Sequence, residues 1–309
     1  MNQSALDPAG DHAAIIYQLF DVFLGITGFF FFLVLLFLGW AIWRRDRDDD
    51  REQKLRVGVA GWAALITIGL SVLTLGSYFA DRSLAFAGAG QKPLRIKMTA
   101  QQWWWEVEYQ DDNPSKTVIT ANELHLPAGR PVEIELASDD VIHSLWIPNL
   151  AGKQDLIPGR TTDLALLPRQ TGHFRAQCAE FCGLQHAHMA LDILVETPAR
   201  FATWYGRSLQ PAPVPVTDEQ KRGYAIVTGR HCAGCHAITG TPAFGTVGPD
   251  LTRIASRATL AAGELPNVRS WLERWIDEPQ AIKPGSHMPR VPLDTDELHA
   301  TSAYLETLR

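Results

Sequence analysis

At 309 residues the chain is too long for one ordinary domain, given roughly 150 residues per domain. It is 46% hydrophobic and 20% charged, which excludes a disordered or collagen-like chain. With 28 Lys and Arg against 34 Asp and Glu the net charge is −6, which argues against a nucleic-acid partner. The mean hydropathy of −0.07 averages a strongly apolar start with a polar remainder.

Ile15 to Trp43 is almost wholly apolar, interrupted near its start by Gln18 and Asp21. Val57 to Phe79 is a second run without a charge. Each is long enough, as a helix, for a hydrocarbon core of about 30 Å, so the first ninety residues read as a hairpin of two membrane spans. A cleaved signal fits poorly. No Lys or Arg precedes Arg44, and the first run exceeds the apolar core of a signal peptide. The loop Arg44–Arg56 holds Arg44, Arg45, Arg47, Arg51, Lys54 and Arg56. The positive-inside rule therefore places that loop in the cytoplasm and both termini outside.

Residues 91–200 read as an all-β unit. The strand-like runs are Pro93–Met98, Trp103–Tyr109, Thr117–Ala121, Val132–Leu136, Thr162–Leu166 and Leu191–Val195. Turn residues such as Asp111-Asp112-Asn113-Pro114 and Pro127-Ala128-Gly129 separate them, a pattern that predicts a sandwich. A short helical end, Phe201–Arg207, leads into the proline-alternating linker Pro211–Val216 within 201–216. Thr217 and Gln220 have the spacing of a capping box that opens a helix to about Gly229. Helical pattern returns over Asn267–Glu278 and Thr295–Leu308, so 217–309 reads as a small, mostly α module.

The four cysteines fall into two tight pairs, too few for a disulfide scaffold and suggestive of two sites. The first lies in the segment CAEFCGLQHAHM, which presents Cys178, Cys182, His186 and Met189. His143 stands upstream between apolar pairs. Two thiolates, two imidazoles and a thioether form a soft set that favours copper over magnesium or calcium. Zinc would accept the Cys and His but has little use for the methionine. A Cys178–Cys182 disulfide is the competing structural reading. His188 reads as a solvent-facing neighbour, since His186 has the better spacing.

The string Cys-x-Glu-x-Cys-x-x-x-His-x-x-Met resembles the binuclear CuA loop of cytochrome c oxidase subunit II. The stretches His143–Pro148, Gly152–Asp155 and Ile157–Arg160, and the run Gln102-Trp103-Trp104-Trp105, resemble that family too. The resemblance spans roughly residues 15–200 and implies a cupredoxin-like sandwich. It further implies that Cys178 and Cys182 bridge two coppers and that His143 and His186 are terminal ligands. Met189 would be a weak ligand to one copper and the Glu180 carbonyl a ligand to the other. The Glu180 side chain would contact a magnesium or manganese ion at the border with subunit I. Trp103 would be the surface residue that receives electrons from cytochrome c. Strand alternation places Trp103 and Trp105 on one face and Trp104 on the other. One departure is evident. Many members begin the second span with a Glu at the mouth of a proton path, whereas Val59–Ile66 has neither Glu nor Pro and Glu52 is the nearest carboxylate, which puts a proton-uptake role in doubt.

The second pair lies in Cys232-Ala-Gly-Cys235-His236, the c-type haem attachment pattern. Both thiols would add to the haem vinyl groups and His236 would be the proximal ligand. A thioredoxin-like motif would want a βαβ surround, and zinc a second such pair. Met288 is the expected sixth ligand, with His287 its rival, and His/Met ligation suits electron transfer. Gly248-Pro-Asp-Leu251 resembles small class I cytochromes c.

The whole reads as a multi-domain chain: a transmembrane hairpin over 1–90, a CuA domain over 91–200, a linker over 201–216 and a cytochrome c domain over 217–309. The resemblance implies an oxidase subunit that passes electrons from a c-type donor through haem c and CuA to subunit I, where oxygen is reduced. Subunit III is a further expected partner and the lipid bilayer of a bacterial inner membrane the expected location. Tethering through the linker would raise the effective concentration of donor. The competing reading is a stand-alone membrane-anchored shuttle. A copper-delivery protein would need no second redox centre.

Overall fold

The computed structural model describes residues 3–43, 52–86, 90–229 and 231–309. The basic loop that sets the expected orientation lies, through residue 51, outside the described residues.

Two helices open the chain, α1 (Asp11–Trp43, 33 residues) and α2 (Glu52–Phe86, 35 residues). At about 1.5 Å per residue each exceeds the apolar thickness of a bilayer. Both are long and apolar enough to cross a membrane, and their most apolar windows are not buried within the protein. They run antiparallel. Gly69 makes room for the Phe30 ring, where a Cβ would come within 2.8 Å, and Phe37 meets Trp62 edge-on at 6.4 Å. The start of α1 is stitched to the β unit: Gly10 bridges Pro168, and Arg169 donates to both Asp11 carboxylate oxygens at 2.7 Å.

The β unit is a sandwich of two five-stranded sheets. Along the chain the strands are β1 (Leu94–Gln101), β2 (Trp104–Gln110), β3 (Val118–Ala121), β4 (Glu123–Pro127), β5 (Val132–Ser138), β6 (His143–Trp146), β7 (Lys153–Leu156), β8 (Thr162–Leu166), β9 (Gly172–Cys178) and β10 (Ala190–Glu196). One sheet has the order β3-β2-β1-β5-β8 and the other β4-β10-β9-β6-β7. Strands β1 and β5, and β4 and β10, pair in parallel, so the chain crosses between the sheets. Alternation in β2 sends Trp105, Val107 and Tyr109 inward, where they meet Ile96, Met98, Ile134 and Leu136 of neighbouring strands. Within β2 Trp105 is buried and Trp104 half-buried, as alternation predicts; Trp103, expected in the same strand, lies in the turn before it and is also buried. The sequence reading missed β4, β6, β7 and β9.

Helix α3 (Pro198–Ser208), capped by Thr197, closes one end of the sandwich. Its Trp204 stacks on His125 at 4.0 Å and meets Tyr109 at 5.0 Å. The C-terminal module then comprises α4 (Asp218–Thr228), a two-residue ribbon of β11 (Thr259–Leu260) and β12 (Leu265–Pro266), α5 (Arg269–Asp277), α6 (Pro279–Ile282) and α7 (Thr295–Leu305). The Thr217/Gln220 capping box is present in full. Val227, Leu272, Ile276, Tyr304 and Leu305 form a core separate from that of the sandwich.

Glu273 ties α5 to α7. Its carboxylate accepts from Ser302 at 2.6 Å, His299 at 2.9 Å and Arg269 at 2.9 Å. Burial alone would raise its pKa, but these three partners outweigh burial and bring it down to about 2. A depressed carboxylate stabilises the fold above its ordinary pKa, and that contribution is lost as pH falls towards the folded value. The window is therefore about pH 4.5 down to about 2. Glu273→Gln is expected to lower the stability of the module at neutral pH, with the gap to the parent closing through that window. Unfolding of the module followed by circular dichroism as a function of pH checks this; a gap that stays constant with pH would refute it.

Candidate metal centres

The first centre forms where β6, the end of β9 and the loop before β10 converge. His143 enters from β6, whose Leu145 pairs with Cys178 of β9. The backbone then pins the loop: Cys178 N donates to Met189 O at 3.0 Å and Ala179 N to Ser144 O at 2.8 Å. Gly183 turns the loop with φ +115°, where a Cβ would lie 3.0 Å from Gln102 and Trp103. That turn returns His186, in a short 3-10 segment, towards the cysteines.

The donor atoms gather around two buried sulfurs. Cys178 Sγ is 3.7 Å from Cys182 Sγ, 3.8 Å from His143 Nδ1 and 3.1 Å from the Glu180 carbonyl oxygen. Cys182 Sγ is 3.6 Å from His186 Nδ1 and 3.9 Å from Met189 Sδ. Both thiols are free. The ligand atoms of His143, Cys178 and Cys182 all lie within 4.8 Å of one another. The Glu180 side chain points away and is exposed, so only its carbonyl faces the centre.

Electrostatics favour a negative sulfur here. The hydrogen bond shared with Cys182 pulls the Cys178 thiol down, against the opposing effect of burial, while Cys182, sharing its proton with that sulfur, is pushed up. Burial would lower the His143 pKa, but Cys178 and Asp140 outweigh it and the net shift is upward. Asp140 was not foreseen from the sequence. Its Oδ1 lies 2.8 Å from His143 Nε2, which fixes the ring with Nδ1 towards the sulfurs. Soft sulfur and nitrogen donors closed off from water suit copper, and a site filled by protein ligands suits electron transfer rather than substrate chemistry.

The second centre is a cavity formed mostly by the C-terminal module, lined by Cys232, Cys235, His236 and Met288 among apolar walls. One turn closed by Cys235 N to Cys232 O at 3.0 Å and His236 N to Cys232 O at 2.9 Å presents the motif. His236 Nδ1 donates to the Pro249 carbonyl at 2.7 Å, which leaves Nε2 free for a ligand. Burial holds the His236 pKa below its ordinary value, which favours the neutral imidazole that binds iron. Gly248 permits the ring to sit so close, since a Cβ there would lie 2.6 Å from His236 Cε1. The cavity fits haem in another respect. Arg257 Nε and Thr301 Oγ1, both in its wall, are buried and have no hydrogen-bond partner among the described residues. A carboxylate-bearing macrocycle would supply acceptors for both.

The two centres share a boundary. Gln102, Trp103 and Trp104 line the same cavity as Met288. On its other side Trp103 Nε1 donates to the Cys182 carbonyl at 2.9 Å, joined there by Gln102 Nε2 at 2.6 Å. The resemblance implied a surface tryptophan. In this chain Trp103 is only 7% exposed, because the C-terminal module covers it. His188, expected to face solvent, is half-exposed and pairs with Glu264 of that module at 2.8 Å. His287, the rival ligand, lies 6.4 Å from the Trp103 ring. The interface residues Gln185, Arg257 and Lys283 carried no sequence signal, being single polar residues in otherwise ordinary loops.

A closed nest of soft donors next to a cavity shaped for covalently held haem, both carried outside a membrane hairpin, defines a membrane-anchored electron-transfer protein. Residues 94–197 match the family described as cytochrome c oxidase subunit II, periplasmic domain, and residues 220–309 match the cytochrome c family. Cytochrome c oxidase subunit 2 of Alkalihalophilus pseudofirmus is 31% identical, the match covering 100% of this chain and 91% of that protein. The protein of the same name from Bacillus sp. strain PS3 is 30% identical over 99% of this chain and 91% of its own. The crystal structure of the periplasmic domain of subunit II of cytochrome oxidase of Bradyrhizobium japonicum is 30% identical, with a TM-score of 0.35, over 37% of this chain and 92% of that one. The chain belongs to the cytochrome c oxidase subunit 2 family, in a form that carries a C-terminal cytochrome c domain.

Proposed function

We propose that the chain is the subunit of its haem–copper oxidase through which electrons arrive, with functional units at 1–90, 91–200, 201–216 and 217–309. His143, Cys178, Cys182, His186, Met189 and the Glu180 carbonyl hold a binuclear copper centre. Cys232 and Cys235 would hold the haem covalently, and His236 and Met288 would bind its iron. Bound there, these groups would supply one-electron transfer from an outside c-type donor towards subunit I, where oxygen is reduced.

The observation that carries this reading is the place of Trp103, in the wall of the haem cavity and hydrogen-bonded to the carbonyl of Cys182. Asp140 and the Cys178–Met189 backbone bonds keep the copper ligands from moving, which keeps reorganisation small. The positive-inside rule puts both termini and the two soluble units on the outer face of a bacterial inner membrane. The Glu180 side chain, exposed at the edge of the copper loop, would contact a magnesium or manganese ion at the border with subunit I. Subunit III completes the assembly.

Mild-detergent purification of the tagged full chain tests this. Large haem-bearing membrane subunits and cytochrome c oxidase turnover are expected to come with it. A chain that purifies alone, with copper and haem in place, would instead be a membrane-anchored shuttle.

A further inference from the structure

A flexible linker alone would let the C-terminal module swing as a tethered donor. The contacts across the boundary describe something more fixed. Thr259 Oγ1 donates to the Asp192 carboxylate at 2.6 Å, Ala190 N donates to the Ala262 carbonyl at 3.0 Å, and Ala258 N donates to Glu123 at 3.3 Å. Gly263, with φ +88°, lies against Ala190, where a Cβ would come within 2.8 Å.

The centre of this interface is the run Lys283–Met288. Lys283 is 3% exposed, and its ammonium donates to the Trp103 carbonyl at 2.8 Å and to the Ala261 carbonyl at 2.9 Å. Among the described residues both hydrogen-bond acceptors are main-chain carbonyls, one from each side of the boundary. The next residue, Pro284, accepts from Gln185 Nε2 at 2.8 Å, and Gln185 is the neighbour of His186. Gly285, at φ +82°, lies on Leu184 and the Trp103 ring, where a Cβ would come within 3.0 and 3.6 Å. Three residues further on is Met288, in the haem cavity wall.

Burying a lysine is unfavourable unless its protons are satisfied. Burial does pull its pKa down, to about 8. A cation kept in such a place despite that cost is there for geometry: its bonds form only when Trp103 and Ala261 are in one relative position.

We infer that Lys283 is a positioning residue that locks the haem-bearing module onto the copper-bearing sandwich, fixing the Lys283–Met288 run over Trp103 and closing Trp103 to any outside donor. The inference rests on the electron-transfer reading above. It differs from tethering in that the linker sets only the path of the chain and the lock sets the working distance. External donors then have access to the oxidase only through the C-terminal module.

The test uses the full chain in the purified oxidase, with a protease site placed in 211–216. After cleavage the parent C-terminal fragment is expected to stay with the membrane-bound remainder on gel filtration. Lys283→Met keeps most of the packing volume but loses the donors, and is expected to release most of the fragment, as is Lys283→Ala. Rates of electron equilibration between haem c and copper, read after flash reduction in the uncleaved proteins, should fall at least about tenfold in K283M. Gln185→Leu, on the sandwich side, should weaken retention in the same sense even if K283M were to load haem poorly. Retention of the K283M and Q185L fragments to the parent level would overturn the lock. Retention needs neither redox centre to work, so copper and haem content, measured on the same samples, separate failure of the lock from failure of the electron-transfer reading.

Discussion

Cys178→Ser is expected to empty the copper site of the full-length protein while leaving covalent haem in place. Cys178 Sγ is the hub of the centre, within 3.8 Å of His143 Nδ1, the Glu180 carbonyl and Cys182 Sγ. Its surroundings also favour the anionic form of this sulfur. Serine offers a harder oxygen that stays protonated, a poor match for copper. Losing partners outside the ligand set costs metal sites about 10–100-fold, so loss of a ligand proposed to bridge both coppers should exceed that. Copper per chain should fall to background, and oxidase turnover by at least about a hundredfold. The haem spectrum should be unchanged, because the C-terminal module has its own core. Two coppers retained in the variant would contradict the assignment of Cys178.

Gly223→Ala should be the most damaging small substitution in the C-terminal module. Helices α4 and α7 cross there with backbone against backbone. A Cβ on Gly223 would lie 1.9 Å from the Ala300 carbonyl oxygen and 2.8 Å from Tyr304 Cβ. Alanine is the better helix former by about 1 kcal/mol. Forcing a methyl into a packed helix crossing costs about 3 kcal/mol or more when the obstacle is main chain, and so wins. Thermal unfolding read at the haem band should move down by several degrees or more, and the yield of haem-loaded protein should drop. Gly206→Ala is the control. Gly206 lies in α3 with open space around its Cα, so the same change there should be neutral or slightly stabilising. Equal effects at the two positions would refute the close-crossing explanation.

The sequence exposed those features whose physics is local. Two long charge-poor runs, a capping box at Thr217, and ligand residues packed into CAEFCGLQHAHM or CAGCH need no knowledge of distant contacts. The missed strands differ in kind. Strand β4 is buried throughout, including Glu123 and His125, so it shows no alternation. Its polar groups are satisfied inside the fold, His125 by Glu123 two residues before it and by Glu196 of β10, 71 positions away. Strands β6 and β7 are four residues each and carry His143, Ser144 and Asp155, a poor apolar signal. Strand β9 does alternate, with Phe174, Ala176 and Cys178 inward, but its polar residues mask the run.

The working geometry was the least accessible part. Trp103 is recognisable in the aromatic run, but its cover comes from a segment 180 positions away in sequence. Lys283 in isolation is an ordinary surface lysine, and only its placement between the Trp103 and Ala261 carbonyls makes it a buried cation. Asp140 likewise acquires a role only through the ring of His143. Ligand sets are written in short motifs, whereas the contacts that hold two such sets at a fixed separation belong to the tertiary fold.

The proposed function requires one chain to hold a binuclear copper centre beside a covalent haem. Its most direct test is copper and haem per chain in the purified full-length protein, together with the copper EPR spectrum. Two coppers sharing one unpaired electron, with one covalently bound haem, is the result expected. A single copper, zinc in its place, or a Cys178–Cys182 disulfide beside an intact haem would contradict it.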